Sequence, residues 1–172
     1  MYKTIKNSIL MVILSLWSTQ LIGQNISAAQ EEELLNPNLE ENQGVNLIQF
    51  GNQNTAQIIQ FQDFEAQLSL YQQGQSNYSR VIQMGSGRLN VAQQGRTNHI
   101  ESYVLGEDMD IDLNQTGQDN AIKQLSIGNN SNYQFMQYGI DNTIEHFNFG
   151  KDDASMQIFQ RGNDMNLFIY SH

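Results

Sequence analysis

The sequence predicts an all-β fold, a β-solenoid of about six 22-residue strand-turn-strand rungs whose strands form two parallel sheets. Three observations predict it: a motif that recurs at a nearly constant spacing, a strict alternation of apolar and polar residues around each copy, and glycines that fall at one phase of the repeat. Position 0 denotes the first glutamine of each motif, and a column denotes the residues at one position in successive repeats.

The recurring motif is Gln-x-Gly-x-x-Asn. Five copies are complete, and a sixth carries Met165 in place of the asparagine. The copies begin, at spacings of 23, 21, 22, 22 and 23 residues, at Gln49, Gln72, Gln93, Gln115, Gln137 and Gln160. A repeat length between roughly 20 and 50 residues is typical of solenoids, propellers and arrays, in which each unit stacks on its neighbours.

Apolar and polar residues alternate before each motif. Position −3 is polar in every repeat, whereas positions −4 and −2 are apolar or aromatic. The apolar pairs are Val45 and Leu47, Leu68 and Leu70, Leu89 and Val91, Ile111 and Leu113, Tyr133 and Phe135, and Met156 and Ile158. A period of two residues is that of a half-buried strand and not that of a helix.

A second strand follows each motif, and its inward side is filled less completely. Position +7 holds Ala56, Ser79, Ile100, Ile122, Ile144 and Leu167. Position +9 holds Ile58, Val81, Ser102, Gln124, His146 and Ile169. Each strand is too short to be stable alone, so successive units are expected to stack about 4.7–4.8 Å apart. We expect positions −4, −2, +7 and +9 of every repeat to be buried between the two sheets.

Ten of the thirteen glycines fall at one phase of an 11-residue half-repeat. They are Gly51, Gly74, Gly85, Gly95, Gly106, Gly117, Gly128, Gly139, Gly150 and Gly162. Gln62 stands where one more glycine would complete the series. Because glycine permits a positive φ and a close approach of two backbones, the sequence predicts that all ten lie in the turns between strands.

The amides of the motif are expected to point into the solenoid and to stack from rung to rung. The NH2 group of each amide would then donate to the carbonyl oxygen of the neighbouring rung. A buried amide without a partner costs roughly 1–3 kcal/mol, which makes such a ladder close to obligatory. The predicted ladder residues are Gln49, Asn54, Gln60, Gln72, Asn77, Gln83, Gln93, Asn98, Gln115, Asn120, Gln137, Asn142 and Gln160. The glutamine at position +11, present as Gln60 and Gln83, is replaced in the later repeats.

Residues 1–23 have the features of a secretory signal peptide. Two lysines precede an apolar run at residues 9–17, and small or polar residues follow it. Cleavage is expected after Gly23 or, alternatively, after Ala29. A transmembrane anchor is the other interpretation, but the run is shorter than the roughly 20 residues that a membrane span requires.

Residues 24–42 form a different segment, which is rich in glutamate, contains the single proline and lacks apolar periodicity. We expect a flexible acidic leader here, which could target the chain for secretion, with a short helix at residues 31–35 as the alternative. Residues 43–172 make up the repeat domain.

Composition and charge exclude several function classes. The formal net charge of −10 argues against a nucleic-acid partner, because phosphate binding requires a basic surface. The chain has no cysteine and therefore no disulfide framework or thiolate zinc site. We find no nucleophile elbow, phosphate loop or paired metal ligands, so we expect no enzyme activity, no cofactor, no metal and no small-molecule substrate.

Four acidic residues lie in the middle rungs. They are Glu107, Asp108, Asp110 and Asp112. Alternate acids begin an EF-hand loop, but that loop needs a glycine at its sixth position and a glutamate at its twelfth, where this chain has leucine and aspartate. We interpret these acids as outward-facing gatekeepers that discourage lateral association.

The complete pattern Gln-x-Gly-x-x-Asn-x-Ala-x-x-x-Gln, which runs from Gln49 to Gln60, resembles the curlin repeat, and the copy from Gln72 to Gln83 differs only by Ser79 for alanine. The resemblance covers residues 43–172. It implies a structural subunit of curli, the extracellular amyloid fibres that support adhesion and the biofilm matrix. It also implies passage through the periplasm and assembly at the cell surface. The implied partners are copies of the chain itself, a companion curlin subunit, and an outer-membrane curli secretion channel with its accessory factors.

Three other interpretations remain open at this point. By the same resemblance, the chain is either the major curlin that forms the fibre or a minor curlin that nucleates it. A soluble β-solenoid adhesin or ligand-binding protein would need one regular outward face, and position −1 is mixed in character. A solenoid enzyme would need clustered acids and bases, whereas the basic residues are spread along the chain.

Overall fold

The computed structural model describes residues 44–172, apart from the side chains of residues 62–65. The predicted signal peptide (residues 1–23), the predicted leader (residues 24–42) and Gln43 lie outside the described residues.

The described chain folds into ten strands that form an all-β solenoid of about six rungs, which confirms the predicted fold class. The strands are β1 (Gly44–Asn52), β2 (Thr55–Gln75), β3 (Tyr78–Arg96), β4 (His99–Leu105), β5 (Met109–Gln118), β6 (Ala121–Ile127), β7 (Asn132–Ile140), β8 (Thr143–Phe149), β9 (Ser155–Asn163) and β10 (Asn166–Ser171).

Every strand pair is parallel, and each residue pairs with the residue at the same repeat position in the next rung. Gln49 pairs with Gln72, and Gln72 pairs with Gln93. The strand segments before the corners form one face of the solenoid, and those after the corners form the other. Strands β2 and β3 each continue from one face to the other, so the two predicted sheets are joined into one ten-stranded sheet. Within residues 44–172, register is interrupted only between Gln62 and Ala66, where the expected glycine is missing.

The interior between the two faces holds the apolar columns, and burial depends on having a rung on both sides. Leu68, Ile111 and Phe135 of the inner rungs are at most 2% exposed. The prediction that every repeat buries these positions is wrong for the outermost rungs, where Val45 is 47% and Leu167 is 37% exposed. Each of these side chains has a neighbouring rung on one side only among the described residues.

The structure corrects the placement of the glycines. Gly106, Gly128 and Gly150 lie in bends, as predicted. The other seven are strand residues, and those at position +2 lie two residues before the corner. The backbone pairing continues through the glycines at position +2, whose φ values lie between 101° and 142°. A Cβ atom at Gly95 would overlap the carbonyl oxygen of Gly117 in the next rung, so close approach is what requires glycine here.

The residue that turns each corner after the motif is not a glycine. Position +4 has a φ between 52° and 58° in all six repeats. These residues are Gln53, Ser76, Thr97, Asp119, Asp141 and Asp164. Backbone hydrogen bonds join the corners of successive rungs as well. For example, Ser76 N donates to Asn52 O at 2.9 Å. The rung-to-rung ladder therefore passes around the corner without a break.

We predict that Gly95→Ala destabilises the chain by about 3 kcal/mol or more, because the added methyl group meets backbone that cannot move without breaking the ladder. Gly150→Ala is the matched control. Its φ is 75°, yet a Cβ there meets no atom within 4 Å, so the cost should stay near 1 kcal/mol. Urea denaturation of the freshly purified chain measures both, and equal losses would contradict the close-approach argument.

Candidate functional site: the amide ladders

The glutamines at position 0 form one continuous ladder through the interior. Gln49 donates to Gln72, and each later Nε2 donates to the Oε1 of the next rung at 2.8 to 3.0 Å. Four inner members, from Gln72 to Gln137, are fully buried. The second N–H of Gln72 is directed toward Thr55 O at 3.1 Å, and Gln93 reaches Tyr78 O in the same way at 3.0 Å. The amide of each inner rung thus has partners on both sides.

The asparagines at position +5 form a second ladder in the opposite donor direction. Asn77, Asn98, Asn120 and Asn142 each donate from Nδ2 to the Oδ1 of the preceding asparagine at 3.0 to 3.1 Å. The same Oδ1 also accepts the backbone N–H of the next asparagine at 3.1 to 3.2 Å. One side chain therefore satisfies both a side-chain donor and a backbone donor.

Each asparagine also binds the corner of its neighbouring rung. Asn98 Nδ2 donates to Gln94 O and to Gly117 O, both at 3.1 Å. The glycine carbonyl of the neighbouring rung thereby accepts a hydrogen bond from an asparagine side chain. The sequence pattern predicted the asparagine column but not this hydrogen bond to the glycine carbonyl. The bond explains why glycine at +2 and asparagine at +5 occur together.

The asparagine ladder ends at Asn142 and the glutamine ladder at Gln160. Met165 has no amide, and only its backbone N–H reaches Asn142 Oδ1, at 3.2 Å. Gln160 Nε2 donates to Met165 O at 2.9 Å and is directed toward Thr143 O at 3.5 Å. At the opposite end, no described residue donates to the Oε1 of Gln49.

The glutamines at position +11 form only a short ladder. Gln60 donates to Gln83 at 3.1 Å, and Gln83 donates onward to Gly87 O at 3.1 Å. Val104 occupies the next place in this column, so the ladder stops. A stack of amides persists only while successive rungs carry the same residue.

The four predicted gatekeeper acids do not form one cluster. Glu107 and Asp108 lie exposed in a bend. Asp110 forms an ion pair with Arg88 at 2.8 Å, and Asp112 accepts a hydrogen bond from Asn90 at 2.7 Å. The hydrogen bond from Arg88 to Asp110 raises the pKa of that arginine further. These contacts join outward residues of neighbouring rungs and form no ion-binding loop.

Buried polar groups lack hydrogen-bond partners where successive rungs carry different residue types in one column. Gln124 Nε2, Ser126 Oγ, Tyr133 Oη and both ring nitrogens of His146 are buried without a hydrogen-bond partner among the described residues. The His146 ring lies 4.7 Å from the Tyr133 ring and 5.1 Å from the Phe135 ring. Burial lowers the pKa of His146 to about 4. With no acid beside it, this histidine is a core residue.

In the part of the chain that the structure describes, no group of three or more histidines and acids could hold a metal ion. Over the same residues, no helix is long and apolar enough to cross a membrane.

Comparisons with models of protein families, with curated proteins and with solved structures each find no match for this chain.

We predict that His146 makes the chain less stable in acid. Its pKa is about 4 when folded against an ordinary 6.5, so the unfolded chain binds the proton more readily between these values. His146 should therefore lower the free energy of unfolding by about 1.4 kcal/mol for each pH unit as the pH drops from about 6.5 to about 4. Above about pH 7 this residue should have no effect on stability.

Urea denaturation at several pH values checks this prediction. His146→Leu should remove that slope, whereas His99→Gln, at a partly exposed histidine, should leave it in place. The same slope in His146→Leu as in the unchanged chain would contradict the assignment.

Proposed function

We propose that the chain is a subunit of extracellular amyloid fibres of the curlin type, which grow by end-to-end stacking of solenoids and support adhesion and the biofilm matrix. The observation that carries the proposal is that the glutamine ladder is open at both ends. In the last rung the Gln160 amide turns to Met165 O, where inner glutamines donate to the next rung, and in the first rung no described residue donates to Gln49 Oε1. A second copy stacked in register extends the column from Gln160 to Gln49.

The strand edges at both ends support the same growth mode. Strand β1 pairs only with β2, β9 only with β7, and β10 only with β8 among the described residues. The edge strands β1 and β10 contain no proline, lysine or arginine, which are common protections against edge-to-edge pairing, and β9 carries one such residue, Arg161. Stacking would pair their backbone groups and would cover Val45 and Leu167, the side chains that the end rungs leave exposed.

The remaining parts of the proposal rest on the resemblance of the repeats to curlins. They are secretion through the periplasm and an outer-membrane channel with its accessory factors, and a companion curlin at the cell surface. A minor, nucleating subunit is the second candidate, because the asparagine column ends at Asn142 and the +11 ladder at Gln83. Such imperfect columns suit a subunit that starts fibres better than one that forms their length.

We predict that the purified chain, diluted from denaturant, polymerises into unbranched fibres that bind amyloid dyes and seed further growth. Electron microscopy and seeded dye kinetics measure this. A chain that stays monomeric for days at micromolar concentration, with no dye signal after seeding, would overturn the proposed function.

Four variants test whether the ladder controls that growth. Gln49→Ala and Gln160→Ala each remove one intermolecular amide bond, worth about 0.5–1.5 kcal/mol, and should slow seeded elongation. Asn46→Ala and Gln157→Ala are matched controls on outward positions of the same end rungs, where most substitutions stay within about 0.5 kcal/mol. Equal elongation rates in all four would exclude the glutamine ladder as the stacking determinant.

We further predict that Met165→Asn accelerates growth. An asparagine at 165 would accept the backbone N–H and Nδ2 of Asn54 from the next copy, as Asn77 does for Asn98 within the chain. One such bond is worth about 1 kcal/mol, so the concentration of unpolymerised chain at equilibrium should fall about five-fold. Met165→Leu, which restores no amide, is the control, and an equal effect of both variants would contradict the prediction.

A further inference from the structure

The face formed by the strand segments after the corners carries a continuous apolar surface on its outward side. Strands β4, β6 and β8 alternate strictly, so that positions +8, +10 and +12 point outward. Position +10 holds Ile59, Ile82, Tyr103, Leu125, Phe147 and Tyr170. Position +12 holds Phe61, Met84, Leu105, Ile127 and Phe149, followed by His172. These three outward columns are named the lateral face.

The apolar side chains of the lateral face are partly exposed in the inner rungs and more exposed at the ends. Ile127 is 38% and Phe149 is 41% exposed, whereas Phe61 in the first rung is 53% and Tyr170 in the last is 58% exposed. A depression of about 310 Å³ lies over Leu125, between Tyr103 and Phe147. Contiguous apolar surface of this kind marks an interaction site, whereas single exposed apolar side chains do not.

The third column of the lateral face carries alternating charge. Position +8 reads Gln57, Arg80, Glu101, Lys123, Glu145 and Phe168 from the first rung to the sixth. Lys123 lies 3.5 Å from Glu145, and Glu101 lies 3.3 Å from His99. Positive and negative side chains thus occupy the four middle rungs in the order plus, minus, plus, minus.

We propose that the lateral face binds the lateral face of a second copy, with the order of the rungs reversed. A two-fold axis along the strand direction leaves each column facing itself and places rung two against rung five and rung three against rung four. Arg80 then faces Glu145 of the second copy, and Glu101 faces its Lys123. All four charges of one copy meet opposite charges on the other.

The apolar columns are complementary in the same arrangement. Every ring of position +10 then faces an aliphatic side chain. Tyr103 faces Leu125 of the second copy and enters the depression there. The other pairs are Phe147 with Ile82 and Tyr170 with Ile59.

The alternative two-fold axis, along the stacking direction, does not fit. It would place the charged column +8 of one copy against the apolar column +12 of the other. Charged groups would then lose water without gaining partners, which is unfavourable. The charge order therefore selects reversed pairing.

A single pair of copies should bind weakly. Three outward columns and six rungs cover about 15 by 28 Å, or about 400 Å² per copy, which is at the low end for specific interfaces. Within fibres the contact would repeat along two stacks and add up by avidity. Pairing does not require polymerisation, so the soluble chain can test it separately from the proposed function.

The test uses charge reversal and mixing. Sedimentation velocity at about 100 µM, before any dye signal, should show reversible dimers of the unchanged chain that weaken with added salt. Glu101→Lys places lysine against lysine twice per dimer, and Lys123→Glu places glutamate against glutamate twice. Each variant alone should dimerise about ten-fold more weakly. An equimolar mixture of the two variants restores both opposite-charge contacts and should return to within about two-fold of the unchanged chain.

Arg161→Glu is the matched control for Lys123→Glu, since it makes the same charge change on the other face of the solenoid and should leave dimerisation unchanged. Failure of the mixture to recover overturns the reversed pairing. A chain that stays monomeric and instead co-sediments with phosphatidylcholine vesicles overturns it as well, and identifies a lipid surface as the occupant. Dye-positive fibres from a chain without lateral dimers would overturn the pairing and leave the proposed function standing.

Discussion

The stacking of each residue on its counterpart in the next rung is the constraint on which the rest of this molecule depends. Parallel pairing places Gln72 between Gln49 and Gln93, and the same register holds for every column. A shift of one residue would turn the apolar columns outward and the amides away from their partners. Backbone hydrogen bonds, side-chain ladders and apolar contacts therefore all require one register, and each supports the others.

The corners show how this constraint selects residue types. Glycine at position +2 is needed because the neighbouring rung leaves no space for a Cβ atom. Asparagine at position +5 donates from its side chain to the carbonyl group of that glycine in the next rung. Where columns change residue type, as around Gln124 and His146, buried polar atoms lose their partners. Such groups cost roughly 1–3 kcal/mol each, so drift of the repeat lowers stability at identifiable places.

Two proposed directions of association rest on different physics. Along the stack, contacts are directional hydrogen bonds, which fix register and are little affected by salt. Across the lateral face, contacts are apolar with a row of exposed charges, which salt screens. The predicted gatekeepers Asp110 and Asp112 occupy the opposite face and bind Arg88 and Asn90 of the neighbouring rung. The gatekeeper role of these acids stays a prediction, and the proposed lateral pairing uses the alternating charge order of the other face.

The sequence by itself determined the fold class, the inward columns and the members of both long ladders. Alternation with a period of two residues fixes which side chains point inward, and the 22-residue repeat places equivalent residues in successive rungs. The tertiary structure decided what depends on the neighbours of a residue. The residue at position +4 turns the corner, whereas the glycine at +2 is required by the close approach of the next rung. Val45 is exposed because no described rung precedes it. The lateral face also depends on the tertiary structure. Stacking places the outward residues that follow each motif side by side, so residues far apart in the sequence form one surface.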